Sequence, residues 1–149
     1  MDPLEDLSVD FLLLADRAEA INSKLYVMGG TWDWIQQAPG APPTPFSIAV
    51  GVLVQWNATN IAHQLRLWID DEDGQPAGIE AEATFTMGRP AHLKDGDEQR
   101  FIMTIPSIMH RFRKPGQYVL TAALNGDSKK QARFRVVAQA DSGQEPPPS

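Results

Sequence analysis

The chain has 149 residues, 42% of them hydrophobic and 21% charged, with a net charge of -6 and no cysteine. That length suits one domain, able to bury roughly two-thirds of the surface its unfolded form exposes. The lack of thiols excludes a disulfide framework, a thiolate nucleophile and a Cys-based zinc site, and the acidic balance disfavours nucleic acid, whose phosphates select basic surfaces.

Residues 1–7 read as a leader, 8–138 as a single folded domain and 139–149 (QADSGQEPPPS) as a Pro-rich tail expected to be disordered. The early apolar run FLLLA follows Asp2, Glu5, Asp6 and Asp10 and is ended by Asp16-Arg17. A signal peptide needs a basic leader and a longer apolar core, so a cytoplasmic protein off the membrane is expected. Phe11 to Ile21 mixes helix formers with apolar residues. It nonetheless leads through the polar turn Asn22-Ser23-Lys24 into Leu25, Val27, Trp32 and Trp34 at strand-like spacing, so a hairpin is predicted. Gly29-Gly30 then marks a bulge or bend.

The Pro-rich segment 37–45 is an extended connector. In residues 46–56, Ile48, Val50, Val52, Val54 and Trp56 share one face while Ala49, Gly51 and Leu53 share the other, the composition of a strand covered on both sides. Leu65, Leu67 and Ile69 alternate with polar neighbours, and the run Asp70-Asp71-Glu72-Asp73-Gly74 closes a hairpin. Its return strand points Ile79, Ala81, Ala83, Phe85 and Met87 inward. After a polar loop, Phe101, Met103 and Ile105 form another strand, and Pro106 to Lys114 a connector. Tyr118, Leu120, Ala122 and Leu124 alternate with Val119, Thr121 and Ala123, Asn125-Gly126-Asp127 reverses the chain, and Phe134 and Val136 alternate with Arg133 and Arg135. Pro115-Gly116-Gln117-Tyr118 has the form of a tyrosine corner, in which a Tyr at a strand start bonds backbone a few residues upstream. The predicted fold is all-β: an antiparallel Greek-key β-sandwich of about eight to nine strands, immunoglobulin-like or C2-like.

The ordered motifs LLADRAEAINSKLYVMGGTWDWI, PFSIAVGVLVQWN, DEDG, MGRP and KPGQYVLTAALNGD resemble an uncharacterised, mainly actinobacterial domain-of-unknown-function family across about residues 8–137. The resemblance implies a cytoplasmic β-sandwich, supports a strand over Phe11–Ile21, and brings no activity, cofactor or site residue.

No catalytic constellation stands out. None of Ser8, Ser23, Ser47, Ser107, Ser128, Ser142 and Ser149 lies in a GxSxG elbow, and no Gly-rich phosphate loop precedes a helix. The expectation is therefore no enzyme and no cofactor. Asp70, Asp71 and Asp73 invite calcium, as loop carboxylates at one end of a sandwich do. Strand parity, however, puts the second acidic group, Asp95, Asp97 and Glu98, at the opposite end, and a solvated hairpin tip explains the run. His63, His92 and His110 show no metal spacing. The basic run His110 to Lys114 shares an end with Asp70–Asp73, which favours charge compensation within the molecule over an anion patch. Trp68 falls out of phase with Leu65, Leu67 and Ile69, so it faces outward beside Arg66. With Leu53 on a neighbouring strand it makes an interface candidate, destined for a subunit contact or for cover by the N-terminal half. The function expected is a non-catalytic interaction or assembly module, with a protein partner or self-association and neither nucleic acid nor membrane. The alternative is a small-ligand or calcium-binding sandwich using the Asp70–Asp73 end.

Overall fold

The computed structural model describes residues 7–138; the tail expected over 139–149 and all of the expected leader but Leu7, which opens the first strand, lie outside them. Nine strands form two curled sheets: β1 (Leu7–Ile21), β2 (Lys24–Gly30), β3 (Trp34–Gln37), β4 (Phe46–Gln55), β5 (Ala62–Asp71), β6 (Pro76–Thr86), β7 (Glu98–Ile108), β8 (Gly116–Leu124) and β9 (Asp127–Ala138). One sheet has the order β2-β1-β4-β7, the other β3-β9-β8-β5-β6. Among the described residues no α-helix occurs, only a 3-10 turn at Trp56–Ala58. None of the described residues form a helix long and apolar enough to cross a membrane.

The period-2 pattern of β4 and β8 does what alternation demands, sending every second side chain into one shared interior. Phe46, Ile48, Val50, Val52 and Val54 meet Leu65, Leu67, Ile69, Leu120, Leu124, Phe134 and Val136, all almost wholly buried. Each such side chain contributes roughly 1.5–3 kcal/mol by leaving water. The opposite face of β4 is closed too. Ala15, Ala18 and Ala49 form a second cluster with Phe11, Leu13 and Leu25, and a Cβ on Gly51 would overlap the Phe11 ring.

Turn chemistry sets the hairpins. Asn125 and Gly126 both hold positive φ (51° and 85°) between β8 and β9, as do Asn22 and Ser23 (51° and 61°) between β1 and β2. Two positive-φ residues match the right-handed twist of the strands they join. Gly29 has φ 63° where a bend was expected, in a position where a Cβ would strike the Asp16 carboxylate.

Two features depart from expectation. The strands are not all antiparallel: β3 runs parallel to β9, from Trp34 opposite Arg135 to Gln37 opposite Ala138. The cause is Trp32. Its indole sits edge-on to Phe46 (5.8 Å) and Phe134 (6.0 Å), between residues of both sheets, so Trp34 leaves the sheet of Leu25 and Val27 for the other one. The connector expected from Pro106 also begins late, because β7 continues to Ile108. Proline lacks a ladder donor but is tolerated on an edge strand at a bulge. Here β7 is an edge, and its register with β4 shifts at this point.

Candidate interaction surfaces

The C-terminal corner forms as its sequence indicates. Tyr118 donates its hydroxyl to the Lys114 carbonyl at 2.6 Å, and its ring packs on Phe112 and Phe134. Pro115 and Gly116 make the turn into β8, and Gly116 has φ 140°. Burial raises the Tyr118 phenol above its ordinary pKa. The Lys114 hydrogen bond partly opposes this, and the negative charge of Asp71 adds to it. Phe112 belongs to the core, and its backbone is clamped by the Gln37 amide, which donates to Phe112 O and accepts from Phe112 N, both at 2.8 Å. The aromatic in the basic run is thus structural.

Two cations of that run, Lys114 and Arg111, are used locally. Lys114 Nζ lies 3.2 Å from Asp73 Oδ2 and 3.9 Å from Asp71 Oδ2. The hydrogen bond and charge of Asp73, then the charge of Asp71, hold the ammonium above its usual pKa. Arg111 donates to the carbonyls of Ala38 and Ala41. Asp71 Oδ1 accepts from the backbone N–H of Asp73 and of Gln75, both at 2.9 Å, so it organises its own hairpin tip. Asp70 accepts instead from the Trp68 indole N–H at 3.0 Å. No group of three or more His, Cys, Asp or Glu among the described residues is arranged to hold a metal ion. Beside the tip lies an open cleft of about 430 Å³, lined by Asp71, Gln75, Gly78, Arg113, Lys114 and Tyr118.

The histidines separate by environment. His63 is buried, bonded through Nε2 to the Ala58 carbonyl (2.8 Å) and through Nδ1 to the Asn125 amide (3.1 Å). His110 packs edge-on to Phe112, and His92 sits exposed in the loop before β7. The polar turn at Asn57-Ala58-Thr59 is held from the MGRP segment. Arg89 stacks on Trp56, with its Cζ 3.6 Å from the ring centroid, and donates to Thr59 Oγ1 and Trp56 O.

Trp68 does turn away from the core beside Arg66, whose guanidinium carbon lies 4.6 Å from the ring centroid. It is half-buried, and its neighbours come from its own sheet: Thr121 on β8 and Glu80 on β6 are its cross-strand partners. Leu53 does not join it. β4 lies in the four-stranded sheet, because the chain changes sheets at the Trp56–Ala58 turn, so Leu53 faces outward on the other side of the molecule beside Ser8 and Arg100.

A surface not anticipated from the sequence is the β1–β2 hairpin, residues 15–30. Of the seven exposed large hydrophobics among the described residues, four lie on it: Ile21 (47% exposed), Tyr26 (54%), Val27 (37%) and Met28 (66%). Pairing of β1 with β4 ends at Ala15 opposite Ser47, while pairing with β2 continues to Ile21. The rest is therefore a two-stranded arm. Along one face Arg17 pairs with Met28 and Glu19 with Tyr26, around a groove of about 240 Å³. The apolar run Leu25-Tyr26-Val27-Met28 suits a strand, but nothing local says that no second layer covers it.

The model of a family of unknown function (DUF6941) matches residues 10–137. No curated protein matches the chain. Among solved structures, an alkylpurine DNA glycosylase of Pseudomonas fluorescens, AlkC, bound to DNA containing an abasic site analogue, is similar at 16% identity and a TM-score of 0.47. The match covers 89% of this chain and 31% of that one.

Proposed function

Since the chain belongs to this family of unknown function, no activity comes to it from a relative, and we propose from its own geometry that it is a non-catalytic protein-interaction module. The observation that carries the proposal is the arm. Contiguous exposed apolar groups on a soluble protein mark contact surfaces, and here they cluster on a two-stranded element with a free edge at β2. The partner is a protein that seats Tyr26 and Met28 in an apolar groove and meets Arg17 and Glu19 with opposite charges. The reading includes a cytoplasmic location and an immunoglobulin-like Greek-key sandwich. Support for the latter is that the two sheets share one core, and that a tyrosine corner opens β8.

The test places a photo-crosslinking phenylalanine at Tyr26 and, as a control, at Thr84 on β6. Adducts in cells should form from position 26 with one heterologous protein, and the purified pair should bind. Tyr26→Ser with Met28→Ser should weaken that binding about tenfold or more, since central aromatic anchors dominate interfaces. Equal labelling from both positions, or binding indifferent to the double substitution, overturns the proposal.

A further inference from the structure

The outward face of the five-stranded sheet carries a charge pattern that the arm does not use. β9 turns Arg133 and Arg135 outward, their neighbours Phe134 and Val136 being buried. Neither arginine has an ion-pair partner among the described residues. β6, three strands away in the order β9-β8-β5-β6, turns Glu80 and Glu82 outward. One arginine serves both carboxylates: Arg66 lies 2.9 Å from Glu80 and 3.8 Å from Glu82. The cross-strand rows locate the centre. Gln131, Thr121, Trp68 and Glu80 form one row, and Arg133, Val119 and Asp70 the next. The face thus has a basic corner on β9 and an acidic corner on β6, with Val119, Trp68 and Asp70 at the surface between them and Thr121 buried beneath.

Such a face is complementary to itself. A two-fold axis in the contact plane, passing through the centre and perpendicular to the line joining the corners, brings each basic corner over the partner's acidic corner. We propose that this face binds a second copy of the chain, with Arg133 and Arg135 of each copy meeting Glu80 and Glu82 of the other and Trp68 at the middle. Arginine suits the role, because its fork pairs with carboxylates and is more weakly hydrated than an ammonium. The sheet measures about 19 Å across five strands and about 20 Å along six residues, roughly 400 Å² in plan. That falls below the roughly 800 Å² per partner of a tight complex. The dimer is therefore reversible, concentration-dependent and weakened by salt. It involves a different face from the arm and stands or falls separately from it.

Sedimentation of the full chain from micromolar to millimolar concentration should show the average mass climbing from 16.4 kDa towards twice that value, and falling back at high salt. Arg133→Glu with Arg135→Glu, and separately Glu80→Lys with Glu82→Lys, should each sediment as monomers, with association weakened about tenfold or more. Mixed in equal amounts, the two variants should associate again, because both corner contacts then join opposite charges. Neutral variants, Arg133→Gln with Arg135→Gln, serve if a charge reversal perturbs folding, and should also weaken association. A wild-type chain that stays monomeric, reversed variants that still self-associate, or a mixture that stays monomeric overturns the proposal.

Discussion

The molecule contains two long hairpins made by the same local rules and put to opposite uses. β8–β9 and β1–β2 each turn on two positive-φ residues led by asparagine, and each is an antiparallel ladder. β8–β9 is joined to β5 on one side and β3 on the other, and it buries Tyr118, Leu120, Phe134 and Val136. The far half of β1–β2 pairs only with itself and leaves Tyr26 and Met28 in water. Equivalent turn chemistry therefore says that a hairpin forms, while its neighbours decide whether it becomes core or an exposed arm.

The widest gap between the two should appear on deleting a ring from the buried hairpin. Phe134→Ala removes a side chain that touches Trp32, Phe112 and Tyr118 and should cost about 3–5 kcal/mol in urea unfolding. A loss below about 1 kcal/mol would mean that this hairpin is not the centre of the core. Next come the two turn asparagines. Asn125 also accepts from the Gln64 N–H (2.9 Å) and bonds the buried His63 ring, so Asn125→Ala should cost about 2 kcal/mol. Asn22→Ala, which forfeits chiefly the preference for positive φ, should cost about 1 kcal/mol or less. Equal costs would mean that tertiary anchoring adds nothing to the β8–β9 turn.

Tyr118→Phe should cost about 1–2 kcal/mol through the lost bond to Lys114, and it carries a pH signature. The folded chain raises the phenol above its ordinary value of 10.0, first through burial, so folding favours the protonated form. That contribution is complete below pH about 10 and is lost as pH rises through the raised folded value. Thermal melts of wild type should fall on this alkaline limb, and the Phe variant should show a shallower fall. It keeps only the part due to Lys114, whose pKa is raised by Asp73. Identical limbs would remove the corner as a titrating element. The smallest effect belongs to the arm. Tyr26→Ser with Met28→Ser should move stability by no more than about 0.5 kcal/mol, as exposed substitutions do. A drop above about 1 kcal/mol would show the arm packed on the body and would erase the contrast between the hairpins.

Much of this was written into the chain locally. Alternation placed Trp68 outward beside Arg66, parity put Lys114 at the end of Asp71 and Asp73, and Pro115-Gly116-Gln117-Tyr118 announced its own hydrogen bond. The candidate surfaces were less legible. Trp68 was visible as outward, but not that Leu53 belongs to the other side. Tyr26 and Met28 did not stand out at all, because exposure is set by layers that are distant in sequence.

By itself, then, the sequence determined the all-β class, the hairpin turns and the inward faces of β4, β5, β6, β8 and β9, since these depend on φ preferences and period-2 geometry within a few residues. Only the tertiary structure decided which sheet each strand joins, that β3 runs parallel to β9, and that beyond Ala15 β1 pairs only with β2. Those outcomes depend on pairing and packing between segments as much as a hundred residues apart. Trp32 wedged between Phe46 and Phe134 is such a contact, and it has no counterpart in local propensity.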